Sequence, residues 1–146
     1  MHQIVLILHL FSATIWVGGH CILCFRYLPK SIKEKKTSLI TDFEKQYEVI
    51  GIPALLILVI TGILMAYNYN IPITTWFSFS NSIEKVISVK LMLLISTLLL
   101  ATHARIFIIP RLSIKTLPLM AFHIILITTI AISMLVIGTF VRIGGI

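Results

Sequence analysis

Four of the five histidines in this 146-residue chain lie within long apolar stretches: His9, His20, His103 and His123. An imidazole in the hydrocarbon of a membrane is costly, so it usually faces the interior of a helix bundle and binds a partner there. Imidazole nitrogens ligate iron, copper and zinc, and they also carry protons. The placement of these four residues therefore indicates a site for a metal or a metal-containing cofactor inside a membrane.

The stretches that carry the histidines are long enough to cross a bilayer as helices. Apolar residues make up 58% of the chain and the mean hydropathy is +1.06, whereas soluble domains are about 45–50% apolar. A spanning helix needs about 20 apolar residues, and four stretches meet this need: about 4–25, 49–67, 86–109 and 119–141. The sequence predicts an all-α fold, with one polytopic membrane domain over residues 1–146 built as a bundle of four transmembrane helices.

The basic residues predict how this bundle is oriented. Nine of the twelve Lys and Arg residues lie in the segment 26–48 and in the segment 105–115, which ends the third span and begins the connection to the fourth. Both segments fall on one side if the helices alternate in direction, and the positive-inside rule assigns that side to the cytoplasm. We therefore expect a multi-pass protein of the cell inner (plasma) membrane with both termini outside. The net charge of +7 reflects this asymmetry and does not indicate nucleic-acid binding.

Helical geometry sorts the polar residues of the spans into two layers. At 100° per residue, His9 and His20 lie on one face of the first span, about 20° from full turns and about 16 Å apart along the axis. Lys90 lies at about the depth of His9, and these two residues form an outer layer. An inner layer holds three histidines with two cysteines beside them: His20, His103, His123, Cys24 and Cys21.

The inner layer is consistent with three kinds of site. First, His20 with His103 or His123 would ligate a haem iron from two sides, with Arg26 and Arg105 pairing with the propionates at the inner edge. Second, the histidines together with the thiolates of Cys21 and Cys24 would bind copper or zinc. Third, His103 and His123 would only bond to carbonyls near helix ends, and the cysteines would pack as small apolar side chains.

The outer layer, too, is consistent with more than one interpretation. Lys90 either extends its ammonium to the interface or holds an anion such as a propionate. In the second case His9 would be an iron ligand or a proton carrier. Met65 and Met134 lie in the outer halves of their spans, and we expect them to be apolar filler in the core.

Short motifs in the first three spans and in the turn that follows them resemble two families of membrane proteins. Leu8-His9 followed by Trp16-Val17-Gly18-Gly19 resembles the opening "LH…W-x-[AG]-G" of HemJ-type protoporphyrinogen oxidases and of CopD-type copper-resistance membrane proteins. The spacing of Tyr47, Pro53 and Gly62 is similar to the HemJ-type "LYRAIMTPAM…G" stretch, and Lys90-Leu91 matches the "KL" of both families. Arg105 with Pro110 and Leu112 is similar to the CopD-type "NR…P-x-L" ending. The HemJ-type "MERRL" and "NE-x-P" segments are absent.

The resemblance to the HemJ-type family implies a four-helix bundle with bound haem b. It implies a membrane oxidoreductase that oxidises protoporphyrinogen IX or passes electrons to quinone, with His9 and Lys90 in catalytic positions. The CopD-type resemblance implies copper binding or transport instead. His20, Cys21, Cys24 and His123 match neither family, and the two cysteines are candidate copper ligands on their own chemistry. A porphyrin or a quinone, a second copy of the chain and a larger membrane complex are the partners that these alternatives imply.

Overall fold

The computed structural model describes residues 2–141 and 144, and over these residues the chain is helical with no strand. Five α-helices make up most of it: α1 His2–Ile22, α2 Leu28–Glu34, α3 Ser38–Asn68, α4 Ser82–His103 and α5 Leu117–Phe140. A π-helical turn, Leu23–Tyr27, joins α1 to α2, and a second one, Ala104–Ile108, extends α4. Short 3₁₀ turns occupy Ile73–Thr75 and Ile109–Arg111.

Four helical stretches are long and apolar enough to cross a membrane: Gln3–Glu34, Ser38–Asn68, Ser82–Arg111 and Leu117–Phe140. The predicted all-α class and the predicted number of spanning helices agree with this result. We call the end of the bundle that carries the turns 35–37 and 112–116 the basic end, because most of the Lys and Arg residues lie near it. The other end carries the loop 69–81 with Tyr69, Trp76, Phe77 and Phe79, and we call it the aromatic end.

The helices extend well beyond the apolar stretches that predict them. The segment 26–48, predicted as a polar connection, is almost entirely helical and reverses at Lys35–Thr37, where Lys35 adopts the left-handed conformation with φ 51°. This segment is rich in Lys, Glu and other good helix formers, so the helices continue through it beyond the membrane. The apolar stretches therefore predict which part of a helix crosses the membrane, but not where the helix begins or ends.

Pro53 occupies a different position from the one that the sequence predicts. We expected it in the first turn of the second span, but α3 begins at Ser38 and Pro53 lies inside this helix. Because proline has no N–H, the carbonyl of Val49 has no amide partner one turn later. The irregularity falls beside Gly51, at the depth where the main cavity of the bundle lies.

The four spanning helices do not contact one another equally. Helix α1 packs against α3 and α5, and α4 packs against α5, whereas α3 and α4 hardly touch within the described part of the chain. The bundle is therefore open along one side, between α3 and α4. A core at the basic end holds the remaining contacts together, with Ile40, Met120 and Ile124 almost completely buried.

A tyrosine between two glycines fixes the contact of α1 with α3. The Tyr47 ring lies against Gly19 of α1 and Gly51 of its own helix, and its hydroxyl donates to the carbonyl oxygens of Ile15 and Trp16, at 3.2 Å in each case. A Cβ on Gly19 would collide with this ring, and one on Gly51 would lie 2.7 Å from Tyr47 Cε1. Small residues therefore let the helices approach closely around one aromatic side chain.

We predict opposite effects for substitutions at two neighbouring glycines. Gly19→Ala should lower the free energy of unfolding by about 1–3 kcal/mol, because the added methyl group overlaps the Tyr47 ring and displaces it from its hydrogen bonds to Ile15 and Trp16. Gly18→Ala is the matched control, since a Cβ there meets no atom within 4 Å. It should be neutral or stabilising by up to about 1 kcal/mol. Unfolding curves in mixed micelles measure both, and equal effects would contradict this packing.

Candidate functional site

A cavity of ≈ 200 Å³ with several polar side chains on its wall lies in the half of the bundle near the basic end. It lies where α3 and α4 diverge, so its side is open to the surroundings of the bundle. Its walls include apolar side chains, among them Leu23, Leu55 and Ile127, together with a small set of polar ones. The polar groups are His20, Glu44, Tyr47, Glu48, Thr102, Arg105 and His123.

Three contacts fix the ring of His20 on the wall of this cavity. Its Nδ1 lies 2.8 Å from the carbonyl oxygen of Trp16, one turn earlier in α1. The Trp16 ring packs at 4.5 Å between centroids, and the Tyr47 ring is perpendicular at 5.8 Å. A carbonyl only accepts, so Nδ1 carries the proton and Nε2 keeps its lone pair. No described residue donates a hydrogen bond to that lone pair.

His103 and His123 are brought together, but they bind each other. His103 Nδ1 lies 3.0 Å from His123 Nε2, and the two rings stack at 5.0 Å with an angle of 15°. His123 Nδ1 lies 3.0 Å from the carbonyl oxygen of Leu119, so it is the donor there and His123 Nε2 is the acceptor for His103. Both nitrogens of His123 are therefore occupied.

The two histidines of this pair have different surroundings. His123 is buried and lines the cavity, whereas His103 is exposed and does not line it. The carbonyl bond of His123 is the contact that the third interpretation of the inner layer expects. Ligation of an iron by His20 together with His123 would require the bond between the two histidines to break. His103 keeps a free Nε2, but it does not line the cavity.

The outer layer comprises two pairs of residues near the aromatic end, His9 with Thr61 and Lys90 with Gly138. His9 Nδ1 lies 2.8 Å from Thr61 Oγ1, whose own hydrogen is donated to the Ile57 carbonyl. His9 is therefore the donor and its Nε2 keeps the lone pair. Lys90 interacts electrostatically with His9. The Lys90 Nζ lies close to Gly138 of α5, since a Cβ added at this glycine would lie 3.3 Å from it.

The remaining predicted residues are not gathered into one site. Arg26 is exposed and does not line the cavity. Cys21 and Cys24 are free thiols, and Cys24 packs against the apolar core at the basic end. Among the described residues no group of three or more His, Cys, Asp or Glu side chains is placed to hold a metal ion. The set of copper ligands predicted from the sequence therefore does not assemble in this conformation.

Several residues of the sites are not apparent from the sequence. Glu48 forms an ion pair with Arg105 across the mouth of the cavity, and Glu44 lines the wall beside it. Both lie in the polar segment that we interpreted as a connection. Thr61 orients His9 although it is one hydroxyl in an apolar stretch. The only hint in the sequence is that Thr61 directly precedes Gly62. A Cβ added at Gly62 would lie 3.5 Å from His9 Cε1, so His9 passes close to this glycine.

Comparison with models of protein families, with curated protein sequences and with solved structures finds no match to this chain. The function must therefore be argued from the residues themselves.

We predict that the four histidines of the spans share one tautomer. Each of them donates from Nδ1 to an oxygen or to another imidazole, so neutral His9, His20, His103 and His123 should carry the proton on Nδ1. In free neutral histidine the Nε2–H form is the major one in water, so the expected pattern differs from that of an unconstrained ring. Two-dimensional ¹H–¹⁵N spectra of ¹⁵N-histidine-labelled protein in micelles measure this. An Nε2–H form at His20 would contradict the arrangement.

Proposed function

We propose that this chain is an integral membrane redox protein that binds haem b at the cavity, with His20 as an axial ligand of the iron. The observation that carries the proposal is the fixed imidazole of His20. A ligating histidine normally donates its other ring N–H to a carbonyl or carboxylate, which orients the ring and makes the ligating nitrogen more basic. The bond from His20 Nδ1 to the Trp16 carbonyl provides this arrangement on the cavity wall.

The space around His20 supports a flat ligand that enters from the side. The cavity of ≈ 200 Å³ is smaller than the ~300–1,000 Å³ of sites that enclose drug-sized ligands. The enclosed part therefore accommodates only one edge of a porphyrin. The opening between α3 and α4 provides the direction in which the rest would extend, because these two helices hardly touch.

The same geometry argues for one axial histidine and not two. His123 is the second imidazole on the cavity wall, but its nitrogens are bonded to His103 and to the Leu119 carbonyl. His9 has a free Nε2, but it lies about 16 Å from His20 along α1. We therefore replace the expectation of two histidine ligands by a proposal of one.

Charged groups at the mouth would hold the propionates of the haem. Arg105 reaches the cavity and is paired with Glu48, so an anionic group could replace that carboxylate as the partner of the guanidinium. Haem supplies one-electron transfer when it is bound. The chain would position the group and limit its exposure to water, while a lipid-soluble donor such as a porphyrinogen or a quinol reaches the opening from the bilayer.

We predict the optical spectrum of the protein purified from cells that are supplied with haem. It should show a Soret band of a high-spin, five-coordinate haem that binds carbon monoxide when reduced. His20→Ala should weaken haem binding by more than the ~10- to 100-fold that removal of a hydrogen bond behind a ligand costs. His103→Ala is the matched control and should retain the band, since His103 does not line the cavity.

Three results would contradict the proposal. One is a colourless protein that contains stoichiometric copper by metal analysis, which would favour the CopD-type alternative. Another is a low-spin spectrum that His123→Ala converts to high spin, which would restore the ligand pair predicted from the sequence. The third is an unchanged band in the His20→Ala variant.

A further inference from the structure

A second site lies near the aromatic end, around Lys90, and it does not depend on the proposed haem site. The side chain of Lys90 leaves α4 and ends beside Gly138 of α5, where the absence of a Cβ makes room for Nζ. It is partly buried and donates no hydrogen bond to any described residue. His9 of α1, held by Thr61 of α3, is near enough to interact electrostatically with Lys90.

The ammonium group of Lys90 forms no ion pair with any of the acidic side chains, all of which the structure describes. The chain has five acidic residues. Four of them, Glu34, Asp42, Glu44 and Glu48, lie at the basic end, where Glu48 pairs with Arg105 and Glu34 lies 3.9 Å from Lys30. The fifth is Glu84, near the aromatic end. It accepts hydrogen bonds from Ser78 Oγ and from the backbone N–H of Ser80.

A second unpaired donor lies on the same face of α4. Thr97 follows Lys90 by seven residues, which places it about 20° from the same direction and about 10 Å further into the bundle. Its side chain is only 1% exposed, and Oγ1 has no hydrogen-bond partner. Buried polar atoms almost always have a partner, so an unpaired one indicates a water molecule or ligand that belongs there.

We infer that Lys90 and the interior around it form a binding site for a carboxylate or phosphate group. A partly buried cation in hydrocarbon is costly without a counter-ion, and none of the described residues supplies one. The ligand anion would accept from the ammonium group. The lone pair of His9 Nε2 would accept a proton or a hydroxyl hydrogen from the same ligand. The group could be the head of a bilayer amphiphile or a small anion from water.

The test is a set of titrations of the delipidated protein, free of haem, in a neutral detergent. Laurate, acetate and inorganic phosphate are added separately, and the thermal unfolding midpoint (Tm) is followed by tryptophan fluorescence. We expect the Tm to rise with at least one of the three probes. A response to laurate alone identifies a bilayer source, and a response to acetate or phosphate identifies an aqueous one. No response to any of them would overturn the inference.

Variants separate this site from general attraction to positive charge. Lys90→Met should weaken the effective probe by about 10- to 100-fold, the range expected for loss of a charge-assisted hydrogen bond, and Lys90→Arg should retain most of the response. Lys85→Met is the matched control, because Lys85 lies exposed on the same helix. Without any probe, Lys90→Met should have a Tm at or above that of the wild type. A lower Tm in that state, or an equal response of Lys90→Met and wild type, would overturn the inference.

Discussion

The interior of this bundle is governed by the cost of leaving a polar group without a hydrogen-bonding partner inside a membrane. Backbone carbonyls and one threonine hydroxyl provide that partner for three of the histidines. They accept the Nδ1 hydrogens of His20 and His123 from one turn earlier and that of His9 from the neighbouring helix. These bonds decide which nitrogen remains available, and the chemistry that each histidine can perform follows from them.

The two halves of the bundle are therefore suited to different ligands. In the half near the basic end, His20 has a free nitrogen beside a cavity with an open side, and this combination supports a flat, membrane-soluble cofactor. In the half near the aromatic end, Lys90 interacts electrostatically with His9 and has no carboxylate side chain beside it, and this combination supports an anion. The two π-helical turns, Leu23–Tyr27 and Ala104–Ile108, both border the cavity, and such turns are frequent at functional sites.

Apolar length and basic residues were sufficient to predict the helical class and the four spanning stretches, because the bilayer imposes both rules on any sequence. Helical periodicity also placed His9 near the depth of Lys90. What could not be predicted is how a side chain uses each of its atoms. The bond between His103 and His123 depends on the packing of α4 against α5, and the need for glycine at position 19 depends on where the Tyr47 ring lies. The spacing of residues along the sequence predicts neither this bond nor the need for glycine at position 19.

The most direct test of this account is chemical rescue of the proposed ligand. The His20→Gly variant, purified without haem, should bind haem only when free imidazole is added, and the spectrum of the rescued protein should match that of the wild type. Gly at this position removes the ring and leaves room for the added imidazole beside Trp16 and Tyr47. Equal haem binding with and without imidazole, or no binding in either condition while the wild type binds, would contradict the assignment of His20.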